Sequence, residues 1–235
     1  MNIPPGSNGF YLEGAFEGEP PITSDGWRMR MADHYSNEMP EAQQVLFEDA
    51  DSYAWHAVKK FSLNNEPQRL VDEAVTPIAA HEVPRYFKTR QDPKNLAALA
   101  RFAGNVLTVN EALKQFIEWL EPGVHHFFPI EIRMPRNRVH PDQHYILVIG
   151  QHLDSFSPAR SAQDSFKVCL PGLYSYSENA PQARKLAFRR EAFGNAHLWR
   201  ERHILGFLTC FSDRLHAEIT DAGLRIPKQF PMIEV

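Results

Sequence analysis

The 235-residue sequence lacks the marks of several large classes of protein. It has only two cysteines, Cys169 and Cys210, without the spacing of a metal site, and a secreted chain of this length usually has more. We therefore expect two buried, reduced thiols rather than a disulfide. No apolar run approaches the roughly 18 residues of a membrane-spanning helix, and the first residues do not resemble a signal peptide. These absences favour a protein of the reducing cytoplasm that makes no use of a membrane.

Signatures of catalysis are scarce as well. The sequence has no Gly-x-Ser-x-Gly elbow, no glycine-rich phosphate loop and no paired zinc-ligand motif, so we expect no cofactor and no metal. The formal net charge is −4, whereas proteins that bind nucleic acid through bulk charge are basic. Residues 184–202 are locally basic and aromatic. Because Phe188 and Arg190 would share one face of a strand, a hairpin with a mixed face explains this segment at least as well, and a nucleic-acid partner is disfavoured.

A group of histidines and acids leaves one enzymatic alternative open. His144 and His152 lie near Glu131 and Asp154 in the sequence, and these side chains can bind zinc or exchange protons. They would suit a metal-dependent or acid–base hydrolase. However, Gly150 interrupts the strand that would carry both histidines, and structural or surface histidines are the more common explanation.

Many short elements are predicted, because eighteen prolines and twelve glycines are spread through a sequence that is 43% hydrophobic. We expect an α+β fold, a mostly antiparallel sheet with two or three amphipathic helices packed on one side. Residues 1–90 are predicted to form an acidic, strand-rich lobe with strands at 10–12, 27–31, 45–47 and 53–58. Residues 91–235 are predicted to form a helix–strand domain.

The second domain contains the clearer signals. Helices are predicted at 92–104, 110–121 and 212–222, where Asp92, Asn110 and Ser212 can cap and Gly104, Gly123 and Gly223 can end them. Strands are predicted at 124–132 and 144–149, forming an antiparallel central pair, and at 165–170 and 229–235. The pair Gly194-Asn195 predicts a hairpin between 185–193 and 197–204, and residues 154–165 and 171–183 are predicted to be loops.

Two segments of this domain are similar to each other. Residues 107–132 run from Leu-Thr-Val through an amphipathic helix and a glycine stop to Phe-Pro-Ile-Glu-Ile. Residues 208–235 run from Leu-Thr-Cys through a helix and a glycine stop to Phe-Pro-Met-Ile-Glu-Val. The spacings agree closely, which predicts two similar helix–strand units, although two ordinary units could agree by chance.

The order of motifs in residues 84–235 resembles a bacterial immunity family of the polymorphic toxin systems, immunity family eleven, formerly a domain of unknown function. Pro84-Arg-Tyr-Phe87, Val109 to Ile132, Tyr145 to Ile149, His197-Leu-Trp-Arg200 and Phe211 to Leu215 support the resemblance. One departure is Gly223-Leu-Arg-Ile-Pro227, where many relatives have a Gly-x-x-Gly-like turn. The motif residues, which we expect to be mainly structural, are Pro129, Glu131, His197, Trp199, Arg200, Ser212, Leu215 and Gly223.

The resemblance implies a non-enzymatic protein that binds a cognate, cytoplasm-acting toxin and occludes its active site. Residues 38–73 contain eight acidic and three basic residues, which would suit a basic partner. Within this segment we predict that the docking face is formed by Glu48, Asp49, Asp51, Tyr53 and Trp55. An ordinary solvated surface, or an intramolecular match for the basic segment 184–202, would give the same charge pattern.

Overall fold

Two β-sheets share a core through a pair of helices in the computed structural model of this chain. The structure describes residues 9–12, 22–24, 26–62, 77–89, 92–93, 96–103, 105–176, 185–205, 208–227 and 229–235. The helices are α1 (Trp27–Asn37), α2 (Glu41–Gln44), α3 (Ala50–Lys59), α4 (Glu111–Leu120), α5 (Arg190–Phe193) and α6 (Asp213–Asp221), with 3-10 turns at Ala80–Glu82, Pro135–Asn137 and Gln163–Ser165. The strands are β1 (Gly9–Leu12), β2 (Ile22–Ser24), β3 (Tyr86–Thr89), β4 (Leu99–Phe102), β5 (Val106–Asn110), β6 (His126–Met134), β7 (Arg138–Val139), β8 (His144–Val148), β9 (His152–Leu153), β10 (Phe166–Leu170), β11 (Leu173–Tyr176), β12 (Ala187–Phe188), β13 (Leu198–Glu201), β14 (Thr209–Ser212), β15 (Gln229–Pro231) and β16 (Ile233–Glu234).

Most neighbouring strands are antiparallel. The first sheet has the order β2-β3-β6-β8-β5-β4, with β7 also paired to β6, and β3–β6 is its one parallel pair. The second sheet has the order β15-β1-β14-β13-β9, with β13–β9 parallel. β10–β11 and β12–β16 form separate two-stranded pairs. The predicted α+β class with a mostly antiparallel arrangement is confirmed, but the strands are divided between two main sheets.

The strand β8 lies in the middle of the first sheet and is covered on both faces. Ile146 and Val148 pack into one core with α1 and α3. Leu147 and Ile149 pack into a second core with α4 and α6. Burial on both sides explains why this strand is almost wholly apolar, and its predicted antiparallel pairing with β6 is confirmed.

The two similar segments form the same supersecondary unit. In the first, β5 leads into α4 and then β6, and β8 lies between β5 and β6 and antiparallel to both. In the second, β14 leads into α6 and then β15, and β1 lies between them in the same way. Each is therefore a split β-α-β unit, in which two parallel strands are separated by one antiparallel strand.

The same local chemistry begins the helix of each unit. Asn110 accepts a hydrogen bond from the backbone N–H of Leu113 at 3.0 Å, and Ser212 accepts one from Leu215 at 3.2 Å. Both predicted caps are thus confirmed. The apolar stripes of α4 and α6 then meet in one core, which also contains Phe211 from the second sheet.

Three segments in the first 60 residues that were predicted to be strands form helices or a turn instead. Residues 27–31 lie in α1, residues 53–58 lie in α3, and residues 45–47 form the turn after α2. The alternation of Trp27-Arg-Met-Arg-Met31 suggested a strand, but Trp27 and Met31 are also four residues apart and both are buried, as a helix requires. α1 and α3 share their core with β6 and β8, beyond the boundary predicted near residue 90, and the division into two domains stays a prediction.

Three further predictions from local sequence signals are wrong. Within the segment predicted to be a helix at 92–104, Leu99–Phe102 forms β4, because it pairs with β5 in a hairpin. Leu173–Tyr176 is a strand rather than a loop. Gly194 has a positive φ of 48°, but it follows the short helix α5, and β12 and β13 pair with different strands instead of with each other. Gly104 and residues 177–183 lie outside the described residues.

The cysteines differ from each other in burial. Both are free, and Cys210 is buried as expected, whereas Cys169 is exposed on β10. The prediction of two buried thiols is therefore wrong for Cys169. The four residues of β10 after Phe166 are all exposed, since within the described part of the chain β10 pairs with β11 alone and no layer covers it.

Candidate functional site

The acidic residues predicted to bind a partner surround the start of α3. Glu48, Asp49 and Asp51 are exposed, and the side chain of Trp55 is 45% exposed. The preceding turn adds Val45 and Leu46, which are 78% and 74% exposed. We call the exposed residues Val45, Leu46, Glu48, Asp51 and Trp55 the α3 surface.

Two of the three acids also have structural partners. Asp49 caps α3 by accepting a hydrogen bond from the Ser52 N–H at 2.7 Å. Asp51 pairs with Arg28 at 2.5 Å, and the guanidinium group of Arg28 stacks over the ring of Trp55 at 4.1 Å. No partner of Glu48 is present among the described residues, which leaves its charge available to another molecule.

Tyr53 is buried, in contrast to its predicted neighbours in the docking face. Its side chain is 3% exposed, and its hydroxyl group lies 2.7 Å from Nε2 of His81. Burial, followed by the charge of Glu82, raises the pKa of Tyr53 to about 12. Tyr53 therefore connects α3 to the Ala80–Glu82 turn and is not itself a contact surface.

A groove of about 380 Å³ lies between α1 and the segment 80–85. It contains two arginines, Arg30 and Arg85, and two histidines, His34 and His81, whose rings stack at 3.8 Å. Burial, followed by the charge of Arg85, lowers the pKa of Arg30. Burial, followed by the charge of His34, likewise lowers the pKa of His81. Glu38 also lines this groove and lies 3.1 Å from Nδ1 of His34. We call this site the arginine groove.

The residues of the hydrolase alternative do not converge. His144 on β8 is opposite Ile130 on β6, so the next residue, Glu131, faces the other side of the sheet. Nδ1 of His144 donates to the Asp142 carbonyl at 3.0 Å, and burial lowers the pKa of His144. His152 lies on β9 in the second sheet. No group of three His, Cys, Asp or Glu side chains that could hold a metal ion occurs within the described ranges.

Acidic residues of the hydrolase alternative have other partners. Glu131 pairs with Arg133 at 3.0 Å, and Asp154 pairs with Arg189 at 2.8 Å. Because the four proposed side chains are divided between two sheets and two carboxylates are paired with arginines, the geometry offers no hydrolytic centre built from them.

The motif residues near the C-terminus occupy packing and capping positions. Trp199 is fully buried, stacks on Phe193 at 5.0 Å and donates from Nε1 to the Ser155 hydroxyl at 3.3 Å. Nδ1 of His197 lies 2.7 Å from the hydroxyl oxygen of Ser212. The remaining motif residues are placed as follows: Arg200 and Leu215 are buried, Gly223 has a φ of 62° after α6, and Pro129 and Glu131 are exposed on β6.

A buried carboxylate that the sequence did not reveal joins the two sheets. Glu121, just after α4, accepts hydrogen bonds from Nε2 of His125 at 2.8 Å, Nε2 of Gln151 at 2.6 Å, and the backbone N–H groups of His197 and Leu198 at 2.8 and 2.9 Å. Burial acts to raise the pKa of Glu121, but these hydrogen bonds outweigh it and the pKa is lowered. Local sequence gives no signal for this site, since its donors lie up to 77 residues away.

The same network requires a glycine at position 150. A Cβ atom there would lie 1.8 Å from the carbonyl oxygen of Val124, too close for any side chain. This approach lets the Gly150 N–H donate to Nδ1 of His125 at 3.2 Å, so the ring donates to Glu121 from Nε2. The glycine that interrupts the central strand in the sequence thus has a packing reason.

A second buried carboxylate, Glu201, organises the far side of the second sheet. It accepts hydrogen bonds from the backbone N–H groups of Ser155, Phe156 and His203 at 3.0, 2.9 and 3.1 Å. Burial raises the pKa of Glu201 to about 7 in spite of these bonds. It lies beneath the surface, so its role is to hold the Ser155–Phe156 turn against β13.

Comparison with known families identifies the chain. Among the described residues, no helix combines the length and apolar character needed to cross a membrane. No curated protein matches the sequence. A family model described as Immunity protein family (Imm11) matches residues 29–228, which is most of the sequence. The match includes most of α1, all of α3, the first split β-α-β unit, β14 and α6 of the second unit, and the motif residues. The chain therefore belongs to the Imm11 immunity protein family.

Proposed function

We propose that this protein protects bacterial cells by binding a cognate toxin in the cytoplasm and occluding its active site. The observation that carries the proposal is membership of an immunity family over residues 29–228. The scattered positions of His144, His152, Glu131 and Asp154 are consistent with a role in binding rather than hydrolysis. The toxin would belong to a polymorphic toxin system, as the sequence resemblance implies.

The α3 surface is the proposed docking site. Interfaces derive affinity from a few aromatic and arginine anchors, and Trp55 with its stacked Arg28 supplies both on the exposed face of the helices. Glu48 and Asp51 would attract a basic toxin surface and increase the association rate. Val45 and Leu46 add exposed apolar area next to these charges, which suits a protein contact better than a solvated face.

The test is binding and rescue with the toxin encoded beside this gene. Trp55→Ala should raise the Kd about 30-fold, as expected for an interfacial anchor worth about 2 kcal/mol. Glu48→Lys with Asp51→Lys should slow association. Asp49 is left unchanged because its substitution would remove the N-terminal cap of α3. A loss of affinity could then result from a destabilised helix rather than from a lost contact.

Matched controls separate the α3 surface from the rest of the protein. Trp119→Ala removes another exposed tryptophan, on α4, and Glu191→Lys reverses an exposed charge on α5. Both controls should bind the toxin normally. Folded Trp55 and Glu48/Asp51 variants that keep full affinity would exclude the α3 surface, and failure of the unchanged protein to bind or rescue would exclude the proposed function.

A further inference from the structure

We propose that the arginine groove receives a carboxylate side chain of the toxin, held between the guanidinium groups of Arg30 and Arg85. The inference rests on the proposed function, because it specifies the chemistry of that partner. The arginine groove would add a cationic contact next to the docking face, for which the sequence predicts only acidic and aromatic contacts.

The two guanidinium groups lack an acidic partner within the part of the chain that the structure describes. Arg30 donates to the carbonyl oxygens of His81 and Val83 at 2.5 and 2.7 Å, which fixes its position without neutralising its charge. Arg85 is exposed at the rim and close enough to Arg30 to destabilise its charged form. Two like charges held together favour an anion between them, and a guanidinium has five N–H donors, of which Arg30 uses two on these carbonyls.

The charge of the groove fits a single carboxylate. Arg30 and Arg85 contribute two positive charges and Glu38 one negative charge, which leaves +1 apart from the imidazoles. The lowered pKa of His81 keeps that ring neutral near pH 7. One carboxylate would balance this charge, whereas a phosphate dianion would exceed it. The volume of about 380 Å³ admits an Asp or Glu side chain together with part of its neighbours.

The neighbouring strand edge favours side-chain recognition over strand addition. Pro129 lies at the groove on β6. The N–H of Glu131 donates to the Arg85 carbonyl at 3.3 Å, and backbone groups two residues apart on a strand point to the same side. The groove side of Pro129 therefore lacks an N–H, so a partner strand could not form a regular ladder there.

The arginine groove adjoins the α3 surface through α1. On one side of α1, Arg28 contacts Asp51 and Trp55, and on the other side Arg30 and His34 line the groove. A toxin that docks here would present basic groups to α3 and an acid to the groove. Opposite charges placed side by side fix the orientation of the partner.

The first experiment needs no toxin. The full chain is titrated with N-acetylglutamate methylamide, and the Nε–H signals of Arg30 and Arg85 are followed by NMR. In the unchanged protein, both signals should shift saturably. In Arg85→Gln, the remaining Arg30 signal should report an affinity for the probe at least fivefold weaker. Arg160→Gln, which replaces an exposed arginine elsewhere, should leave the affinity unchanged. Arg85 is chosen for substitution because it is exposed. Arg30 donates hydrogen bonds to the backbone carbonyl groups of His81 and Val83, so replacing it would also affect folding. N-acetylglutamine methylamide should cause no shift, and inorganic phosphate should bind no more tightly than the carboxylate.

The second experiment measures the Kd for a catalytically inactivated form of the neighbouring toxin. Arg85→Gln should raise the Kd about tenfold and Arg160→Gln should not change it. If the unchanged protein binds the toxin and Arg85→Gln binds equally well, the groove inference is overturned while the proposed function stands. Tighter binding of phosphate than of the carboxylate probe would also overturn it. If the unchanged protein does not bind the toxin, the proposed function fails first, and the inference fails with it.

Discussion

Replacing Glu121 by glutamine should strongly destabilise the fold, because the carboxylate has two donors on each oxygen. Oε1 accepts from Gln151 and the His197 N–H, and Oε2 accepts from His125 and the Leu198 N–H. An amide supplies one oxygen and one NH₂ group, so whichever way it is oriented, two donors lose their acceptor in a buried site. With two unsatisfied groups at about 1–3 kcal/mol each, we expect the free energy of unfolding to fall by about 2–6 kcal/mol.

The assay is urea denaturation at pH 7, with Glu118→Gln as the matched control on the preceding helix. Glu118 pairs with Lys114 at the surface, so its variant should lose less than about 0.5 kcal/mol. Because the pKa of Glu121 is lowered on folding, its contribution is complete above the unfolded pKa of about 4.3 and declines as the pH falls below that value. The difference in the free energy of unfolding between the unchanged protein and Glu121→Gln should therefore become smaller as the pH falls below about 4.3. A loss below about 1 kcal/mol at pH 7 would refute the view that Glu121 joins the two sheets.

Other buried and exposed groups give two more predictions. The raised pKa of Glu201, about 7, means that its stabilising effect is present below the unfolded pKa and lost as the pH rises through 7, at a cost on the order of 3 kcal/mol. The free energy of unfolding should therefore fall more between pH 5 and 8 in the unchanged protein, and in the exposed control variant Glu191→Gln, than in Glu201→Gln. An equal fall in all three proteins would contradict this. A thiol reagent should modify one cysteine in the native protein, the exposed Cys169, and both after denaturation, since Cys210 is buried and its pKa is raised by that burial. Two fast-reacting thiols in the native state would show that the burial of Cys210 is wrong.

Elements with several agreeing local signals could be predicted from the sequence. The helix α4 has a capping Asn110, an apolar stripe and a stop at Gly123, whose φ is 74°, and all three describe its boundaries correctly. The strand β8 was predictable because burial on both faces requires an apolar run. In each case the signal and the structure depend on the same few residues.

Elements that depend on distant partners could not be predicted in this way. Asp92-Pro93 favours a helix start, but Leu99–Phe102 becomes a strand because β5 is available to pair with it. The arginine groove joins residues of α1 to residues about fifty positions later, as in the bond from Arg30 to His81. Arg85 belongs to the motif Pro84-Arg-Tyr-Phe87, but neither that motif nor the sequence of α1 indicates a groove, because the role of an arginine depends on whether a carboxylate lies next to it in the fold.

The structural roles of the C-terminal motif residues explain why the proposed contacts are expected elsewhere in the chain. In the C-terminal half, Ser212, Trp199 and Glu121 are occupied by capping, stacking and hydrogen bonding within the fold. A substitution there to suit a new toxin would cost folding free energy. By contrast, Glu48 in the turn before α3 and Arg85 in the segment before β3 lack such partners among the described residues, so they can change with little effect on stability. Under the proposed function, a protein that must follow changes in its toxin would place its contacts at residues such as these and leave the buried groups of the two split β-α-β units unchanged.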